Sequence, residues 1–421
     1  MASYWHPFAD MGAVEAGGEL PIVRGEGAYV FDADGKRYFD ATAALWYCNV
    51  GHGRAEIGDA AARQMRAIAA YNNYGDLTTP PTSELAERVA ALVPVPGSKV
   101  FFVSGGSDAV DSAGKLARRY WHELGQPTKT VLLSRRNAYH GMHGVGTSIA
   151  GIEPNRDGYG PLLESAQVEW DSAPALEDAI DRLGEERVAA FFCEPVIGAG
   201  GVLAPPDGYL EEVRRICRER NVLFVADEVV TGFGRCGRWF ASERFGIEPD
   251  LMTCAKGITS GYVPLGALVV APHVAEPFFR PGVMWRHGYT YSGHATACAA
   301  ALANLDIVER EGLVERAADL ERDLADALAP LRDHELVSDV RAGVGVLAAV
   351  ALVTDDPDLP ARTMAELRRR GVLTRLLVGG ALQISPPLVS TRADFDALAD
   401  AVDAAITACS AARTPATARR A

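Results

Sequence analysis

The sequence has little cysteine, no long apolar run and no excess of basic residues. Its seven cysteines are scattered over 421 residues and form no C-x-x-C pair, which argues against a disulfide framework. No apolar run approaches the roughly 20 residues of a membrane-spanning helix. The net charge of -14 argues against nucleic acid or an anionic membrane surface as a partner. No metal site is predicted.

The composition is that of an ordinary globular protein, with 48% hydrophobic and 23% charged residues. The first residues lack the charged-then-apolar pattern of a signal peptide, so we expect a cytoplasmic protein. The length suits two subdomains. The predicted boundaries are an N-terminal segment that contributes to a small domain (1–55), a large domain (56–310), a C-terminal small domain (311–410) and a disordered tail (411–421).

Local patterns predict several elements outside the central stretch. Asp34-Gly35 separates two short alternating segments and is a strong hairpin signal. The remaining expectations are an extended N-terminal arm over about 1–25, a helix over 57–70, an irregular, lid-like loop over 151–169 and one long helix over 297–329.

The most informative stretch lies between residues 222 and 256. One apolar, β-branched run ends at Asp227, and a second short apolar run precedes Lys256. Such runs predict buried parallel strands, and open α/β sheets bind ligands beyond the carboxyl ends of their strands. A lysine and an acid there suit a pyridoxal phosphate (PLP) site, because the lysine can hold the cofactor covalently while the acid keeps its ring nitrogen protonated. For either residue alone, a surface lysine or a helix-capping acid is the simpler interpretation.

The motif A-D-E-V-x-T-G-F-G-R, followed by Lys256-Gly257, resembles the class III aminotransferases of PLP fold type I. The resemblance extends from a meander near Gly27 to Arg392. It implies an α/β fold whose large domain has a mostly parallel, seven-stranded-type sheet flanked by helices, with a small α+β domain built from both termini. It also implies that Lys256 binds PLP and moves the substrate proton, while Asp227 contacts the ring nitrogen.

A glycine-rich turn at residues 104–109 joins a predicted strand to a predicted helix. Helix N-termini leave backbone N–H groups unpaired and favour anions. Gly105 and Gly106 allow close approach of the backbone and Ser107 offers a hydroxyl, so we expect the phosphate of the cofactor here. The family pattern N-S-G-S-E-A differs from this turn at Ser104, Gly105 and Asp108. A plain turn with an N-cap is the alternative.

The resemblance implies further contacts to the cofactor. Tyr139, followed by His140 and a glycine, matches an aromatic-His-Gly signature whose ring stacks on the pyridine. Glu194 begins E-P-x-x-G-x-G-G and faces the site in the family, where it can pair with an arginine; a structural ion pair is the alternative. His140 and Val229 are also expected beside the cofactor.

The resemblance also implies substrate contacts and a shared active site. Trp46 and Tyr139 would line the substrate site, and Arg392, within P-P-L-V-x-T-R, would bind a substrate carboxylate. Thr290 would contact the phosphate of the neighbouring subunit's cofactor, which implies a homodimer or a tetramer. The alternatives are a core aromatic for Trp46, a solvated helix-start residue for Arg392 and a turn hydroxyl for Thr290.

The resemblance therefore implies a PLP-dependent, ping-pong transaminase. It would move an amino group from an amine or an ω-amino acid, such as a β-alanine-like donor, to an α-keto acid, with pyruvate the expected acceptor. The alternatives are a 4-aminobutyrate- or diaminopelargonate-type aminotransferase, an aminomutase or decarboxylase on the same fold, and a non-catalytic PLP-binding protein.

Overall fold

The computed structural model describes residues 3–353 and 355–410, so the tail expected to be disordered lies outside the described residues. The strands are β1 Ile22–Glu26, β2 Tyr29–Asp32, β3 Arg37–Asp40, β4 Lys99–Val103, β5 Val131–Arg135, β6 Ser165–Val168, β7 Val188–Cys193, β8 Leu223–Asp227, β9 Leu251–Cys254, β10 Gly266–Val270, β11 Val337–Arg341, β12 Ala348–Leu352, β13 Val372–Leu373 and β14 Leu382–Ile384. The α-helices are α1 Met11–Gly17, α2 Ala43–Trp46, α3 Ala55–Ala67, α4 Pro80–Leu92, α5 Gly106–Glu123, α6 Gly144–Ser148, α7 Ala173–Leu183, α8 Tyr209–Glu219, α9 Ala241–Arg244, α10 Pro272–Ala275, α11 Ala295–Arg310, α12 Leu313–Leu328, α13 Leu359–Arg369 and α14 Arg392–Ser410. In the described part of the chain, each helix is too short or too polar to cross a lipid bilayer.

A seven-stranded sheet in the order β4-β10-β9-β8-β7-β5-β6 forms the centre of the molecule. Strand β10 runs antiparallel to both of its neighbours, and the other strands share one direction. Strands β5, β7 and β8 are buried along their whole length, because helices cover both faces of the sheet. Side chains on one face pack with α5, as Phe192 does, and those on the other pack with α7 and α8, as Phe191 does. This arrangement confirms the predicted α/β fold.

Two smaller sheets lie outside the central one. The first, β1-β2-β3-β13, pairs β13 from the C-terminal part of the chain in parallel with β3 from the N-terminal part. The second has the order β11-β12-β14. The hairpin expected at Asp34-Gly35 is present between β2 and β3, with Gly35 at a positive φ of 80°. The proposed domain boundaries stay a prediction.

Three local expectations need correction. The N-terminal arm is not fully extended, because Asp10 accepts from Gly12 N and caps the short helix α1. The long helix is divided into α11 and α12 by Gly312, whose φ of 59° lies in the left-handed region. The loop over 151–169 is not wholly irregular, since its end forms the edge strand β6 beside β5.

A fully buried arginine, Arg235, connects three parts of the chain that are distant in sequence. Its Nη2 donates to Oδ1 of Asn49 at 2.6 Å, and its Nη1 donates to the carbonyl of Pro386 at 2.5 Å. Burial lowers the pKa of its guanidinium to about 10. The Arg235 guanidinium therefore links the loop around Asn49 and the segment after β14 to the central stretch of the chain.

Candidate active site

The carboxyl ends of four parallel strands meet around a cleft of about 390 Å³. Asp227 ends β8 and Glu194 directly follows β7, while Lys256 lies two residues beyond β9 and Tyr139 four beyond β5. All four residues line the cleft. The sequence-based expectation that Asp227 and Lys256 reach one crevice therefore agrees with the geometry, as expected for the strand ends of an open α/β sheet.

Asp227 is held in a single orientation by three hydrogen bonds. It is 4% exposed; its Oδ1 accepts from the backbone N of Val229 at 3.2 Å and from Oγ1 of Thr253 at 3.0 Å. Its Oδ2 accepts from Nδ1 of His140 at 2.7 Å. Among the described residues, Nε2 of His140 has no hydrogen-bond partner. The carboxylate is therefore buried but fully oriented before any ligand binds.

Lys256 occupies a strained backbone position at the start of a 3-10 turn, Lys256–Ile258, with φ at +46°. Positive φ is uncommon for a residue with a Cβ and is retained chiefly at functional sites. Burial lowers the pKa of the Lys256 amine to about 8, although the negative charges of Asp227 and Glu194 act in the opposite direction. Near neutral pH an appreciable fraction of the amine is therefore uncharged and nucleophilic.

The N-terminus of α5 opens into the cleft through the glycine-rich turn. Gly105, Gly106 and Ser107 line the cleft, and no side chain in the described part of the protein caps the first turn of the helix. A Cβ added to Gly106 would lie 2.9 Å from Cγ1 of Val229, so only glycine fits between the helix and that side chain. Free N–H groups at the start of an 18-residue helix make this end of the cleft suited to an anion.

The Glu194 carboxylate binds backbone amides and, among the described residues, no arginine. Its Oε1 accepts from the backbone N of Tyr139 and its Oε2 from that of Gly198, both at 2.9 Å. In residues 3–353 and 355–410 no arginine lies within ion-pair distance of this carboxylate, and Arg135 instead donates to the Glu194 carbonyl. Burial raises the pKa of Glu194. Glu194 thus fixes the backbone that presents Tyr139 to the cleft.

Trp46 lies beside the cleft but is only 3% exposed, whereas its chain neighbours Leu45 and Tyr47 line the cleft. Nζ of Lys256 lies 6.0 Å from the centre of the Trp46 ring, and Cζ of Arg375 lies 4.4 Å from it. The cleft is therefore lined by the neighbours of Trp46, while the Trp46 ring packs against an arginine from the C-terminal part of the chain. The substrate contact expected of Trp46 stays a prediction.

Arg392 does not reach the cleft, so the expectation that it binds a substrate carboxylate does not hold in this structure. It begins α14 on the exposed surface, where its Nε donates to Oδ1 of Asp396 at 2.7 Å. A residue four positions further along the same helix is its natural partner. The alternative interpretation, a solvated residue at a helix start, fits this geometry.

Thr290 is exposed and does not line the cleft of its own chain. The expected contact with a neighbouring subunit's cofactor is therefore not made within one chain, and the structure of a single chain leaves it as a prediction.

Sequence reasoning missed two residues beside the site. Arg375 was overlooked although it is the single charged residue in the apolar run 372–378, which was an available signal. Phe8 packs against Tyr139 with ring centroids 6.5 Å apart; no local pattern in the N-terminal arm indicated that contact.

The residues in the cleft fit PLP. The open N-terminus of α5 suits its phosphate, the oriented carboxylate of Asp227 suits its ring nitrogen, and the amine of Lys256 suits its aldehyde carbon. Tyr139 and Val229, which line the same cleft, are an aromatic and a branched side chain able to cover the faces of a flat ring.

Comparison with known proteins supports the same chemistry. A sequence model of the aminotransferase class-III family matches residues 12–406. The chain is 39% identical to a putrescine–pyruvate aminotransferase of Pseudomonas aeruginosa over 93% of this chain and 91% of the relative. It is 34% identical to a β-alanine–pyruvate aminotransferase of the same species, covering 96% of each chain.

Solved structures resemble the whole fold as well. The crystal structure of an amine transaminase from an uncultivated Pseudomonas species, in its PLP-bound form, superposes with a TM-score of 0.93. The two chains are 39% identical, and the alignment covers 97% of this chain and 99% of the other. Since the family match spans nearly all of the sequence and the cleft carries the residues that PLP requires, the chain belongs to the class-III aminotransferases and is a PLP-dependent transaminase.

Proposed function

We propose that the protein moves an amino group from an amine or ω-amino acid to pyruvate by a ping-pong mechanism. The observation that carries this proposal is the meeting of Lys256, Asp227 and the open N-terminus of α5 in one cleft. Relatives named putrescine–pyruvate and β-alanine–pyruvate aminotransferases support this choice of donor and acceptor.

Each part of the cofactor has a proposed binding group. The turn formed by Gly105, Gly106 and Ser107 holds the phosphate, Asp227 holds the ring nitrogen, and Lys256 forms the covalent attachment. His140 orients Asp227 through the 2.7 Å hydrogen bond from its Nδ1. Tyr139 and Val229 flank the ring, and Glu194 keeps Tyr139 in place through its backbone N. When bound, PLP supplies an electron sink for the electrons left on the substrate carbon after proton removal.

The proton transfer is assigned to Nζ of Lys256. An amine whose pKa is lowered to about 8 can accept a proton from the substrate carbon and return it at the acceptor stage. The carboxylate of Asp227, oriented by three hydrogen bonds, favours positive charge at the ring nitrogen. Because both groups line a cleft bounded by apolar side chains such as Val110 and Leu265, their electrostatic effects are stronger than they would be in water.

The substrate carboxylate is assigned to Arg375. Its guanidinium is partly buried, and among the described residues no carboxylate lies within ion-pair distance of it. Burial lowers the pKa of Arg375, so a bound carboxylate would relieve an unfavourable charge. A guanidinium fork matches a carboxylate in shape as well as in charge. Amines without a carboxylate would leave this group unused.

The quaternary structure is part of the proposal. We propose a homodimer in which Thr290 reaches the phosphate of the partner's cofactor. Two features support it: Thr290 is exposed outside its own cleft, and two large side chains of the same region are exposed, its chain neighbour Tyr291 and Tyr74, which lies against Gly288. A cytoplasmic location stays a prediction.

The test is a panel of amines and ω-amino acids with pyruvate as acceptor, followed by alanine formation and by the visible absorbance of the bound cofactor. We expect transfer from a diamine and from β-alanine. Lys256→Ala should abolish turnover while the protein still folds and holds some PLP. Full activity in that variant would refute the assignment, and consumption of the donor without alanine formation would instead favour an aminomutase or a decarboxylase.

A further inference from the structure

The side chain that binds Arg375 has no place in the reaction described above. Arg375 lies on the segment that follows β13, and Gln383 lies opposite it in β14. The backbone N of Gln383 donates to the carbonyl of Arg375 at 3.0 Å, and Nε of Arg375 donates to Oε1 of Gln383 at 2.7 Å. In the described part of the chain, this is the only side-chain hydrogen bond made by the Arg375 guanidinium.

Gln383 is itself fixed. It is fully buried, and its amide has only one workable orientation because a guanidinium donates and cannot accept. Its oxygen must therefore face Arg375, and its Nε2 donates to Oγ of the fully buried Ser385 at 2.6 Å. Both polar atoms of the amide are hydrogen-bonded, so the Gln383 side chain is fixed between Ser385 and Arg375.

Among the described residues, neither terminal nitrogen of Arg375 has a hydrogen-bond acceptor. Nε is the nitrogen bound by Gln383, while Cζ lies 4.4 Å from the centre of the Trp46 ring. The same ring lies 6.0 Å from Nζ of Lys256. The guanidinium is thus held between a buried amide and an aromatic face, next to the residues that line the cleft and close enough to Lys256 and Tyr139 to influence both electrostatically.

The neutrality of the amide matters as much as its oxygen. A glutamate in this position would offer the same acceptor but would neutralise Arg375, and an apolar residue would leave Nε unbound and the long side chain free to change rotamer. Glutamine fixes the cation while leaving its positive charge unmatched. That combination favours a ligand with its own carboxylate.

We propose that Gln383 is a positioning residue that sets the preference of this transaminase for substrates bearing a carboxylate, through its hydrogen bond to Nε of Arg375. The inference rests on the proposed function, in particular on the assignment of the substrate carboxylate to Arg375. It concerns how strongly the enzyme prefers keto acids to carbonyl acceptors that lack a carboxylate. It does not concern the proton transfer at Lys256.

The test compares two acceptors in the PLP-loaded enzyme, pyruvate and butanal, which lacks a carboxylate. Gln383→Met removes the amide from a side chain of similar length. We expect it to raise KM for pyruvate roughly three- to tenfold, the change that corresponds to about one ordinary hydrogen bond, because the charge of Arg375 is kept and only its position is loosened. KM for butanal, kcat with either acceptor and the absorbance of the bound cofactor should stay unchanged.

A double-mutant cycle separates positioning from general damage. In an Arg375→Ala background, Gln383→Met should produce no further change in KM for pyruvate, because its only route to the substrate has been removed. Thr374→Val is the matched control: it removes the 2.6 Å bond from Thr374 Oγ1 to the Gln383 carbonyl and leaves the amide untouched. It should not change the ratio of the two KM values.

A second variant tests the same inference if Gln383→Met folds poorly. Gln383→Glu keeps the acceptor oxygen and adds a charge that competes with the substrate, so KM for pyruvate should rise at least as much and KM for butanal should not.

Each contrary outcome has a distinct meaning. Three results would overturn the inference while amino transfer by the wild type stands. They are an equal rise in KM for both acceptors, a further rise in KM for pyruvate in the Arg375→Ala background, and an unchanged KM for pyruvate in both Gln383 variants. No amino transfer by the wild-type enzyme would overturn the proposed function as well.

Discussion

The two ends of the cleft are built in different ways. The cofactor end, made by Asp227, Lys256 and the turn before α5, lies on strand ends of the buried central sheet. Asp227 alone accepts three hydrogen bonds. The proposed carboxylate end is Arg375, which lies over Trp46 on the segment between two short strands, next to the residues that line the cleft; Arg375 has one side-chain hydrogen bond among the described residues.

The difference shows where this fold is fixed and where it is adjustable. Residues at the cofactor end take their positions from sheet pairing and packing, so moving them would disturb the core. Arg375 is positioned by a single neutral amide in β14 and an aromatic face, neither of which belongs to the central sheet. Substrate preference is therefore expected to vary more readily than cofactor binding, and the following predictions test that contrast.

The largest effect is expected at the cofactor end. Asp227→Asn preserves the shape of the side chain but removes the charge that keeps the ring nitrogen protonated. We expect kcat to fall about 10²-fold or more with every donor and acceptor, as is typical when a preorganised electrostatic group is lost. Steady-state kinetics with pyruvate and with butanal checks this. Thr253→Val, which removes only the 3.0 Å bond to Asp227, should cost far less; equal losses would contradict the assigned role.

A more selective effect is expected at the carboxylate end. Arg375→Ala should raise KM for pyruvate roughly ten- to hundredfold, the range for losing hydrogen bonds to a charged group. KM for butanal should not rise, because that acceptor has no carboxylate. Arg375→Lys keeps the charge but lacks the fork and should be intermediate. If KM rises equally for both acceptors, Arg375 supports the fold and the two ends of the site are not independent.

A pH experiment measures how strongly the two ends are coupled. The free amine of Lys256 is needed to capture PLP, and its pKa is about 8, chiefly because of burial. A lowered lysine pKa means that the reactive form is lost as pH falls below that value. The rate of PLP uptake by the apoprotein should therefore drop about tenfold per pH unit below about pH 8 and level off above it.

The nearby charge of Arg375 also lowers this pKa. Arg375→Ala should therefore move the midpoint of PLP uptake to higher pH, as followed by absorbance at a series of pH values. A midpoint that stays in place or moves to lower pH would show that the ends do not interact.

The smallest effect is expected outside both ends. Arg392→Ala removes the surface pair with Asp396, which should contribute little to the free energy of unfolding because both side chains are exposed to solvent. KM for pyruvate and for butanal should stay at wild-type values, as steady-state assays can show. A selective rise in KM for pyruvate would restore the expectation drawn from the sequence and weaken the case for Arg375.

The contrast between Arg375 and Arg392 shows how far sequence reasoning could reach. Both arginines lie in the C-terminal part of the chain, and the motif around Arg392 was the more conspicuous of the two. A helix start with an acid four residues later satisfies Arg392 locally, whereas Arg375 gains its role only where the chain returns to Trp46. The same limit applies to Glu194, whose partners proved to be backbone amides rather than an arginine.

The sequence by itself determined the cofactor end, because Asp227 and Lys256 follow apolar runs whose strand character and strand ends are local properties. It also determined the phosphate turn, since Gly105, Gly106 and Ser107 are contiguous and begin a helix. Only the tertiary structure decided which arginine lies beside the cleft and what holds it. That choice depends on the pairing of segments more than 300 residues apart, as between Trp46 and Arg375, and no local pattern encodes it.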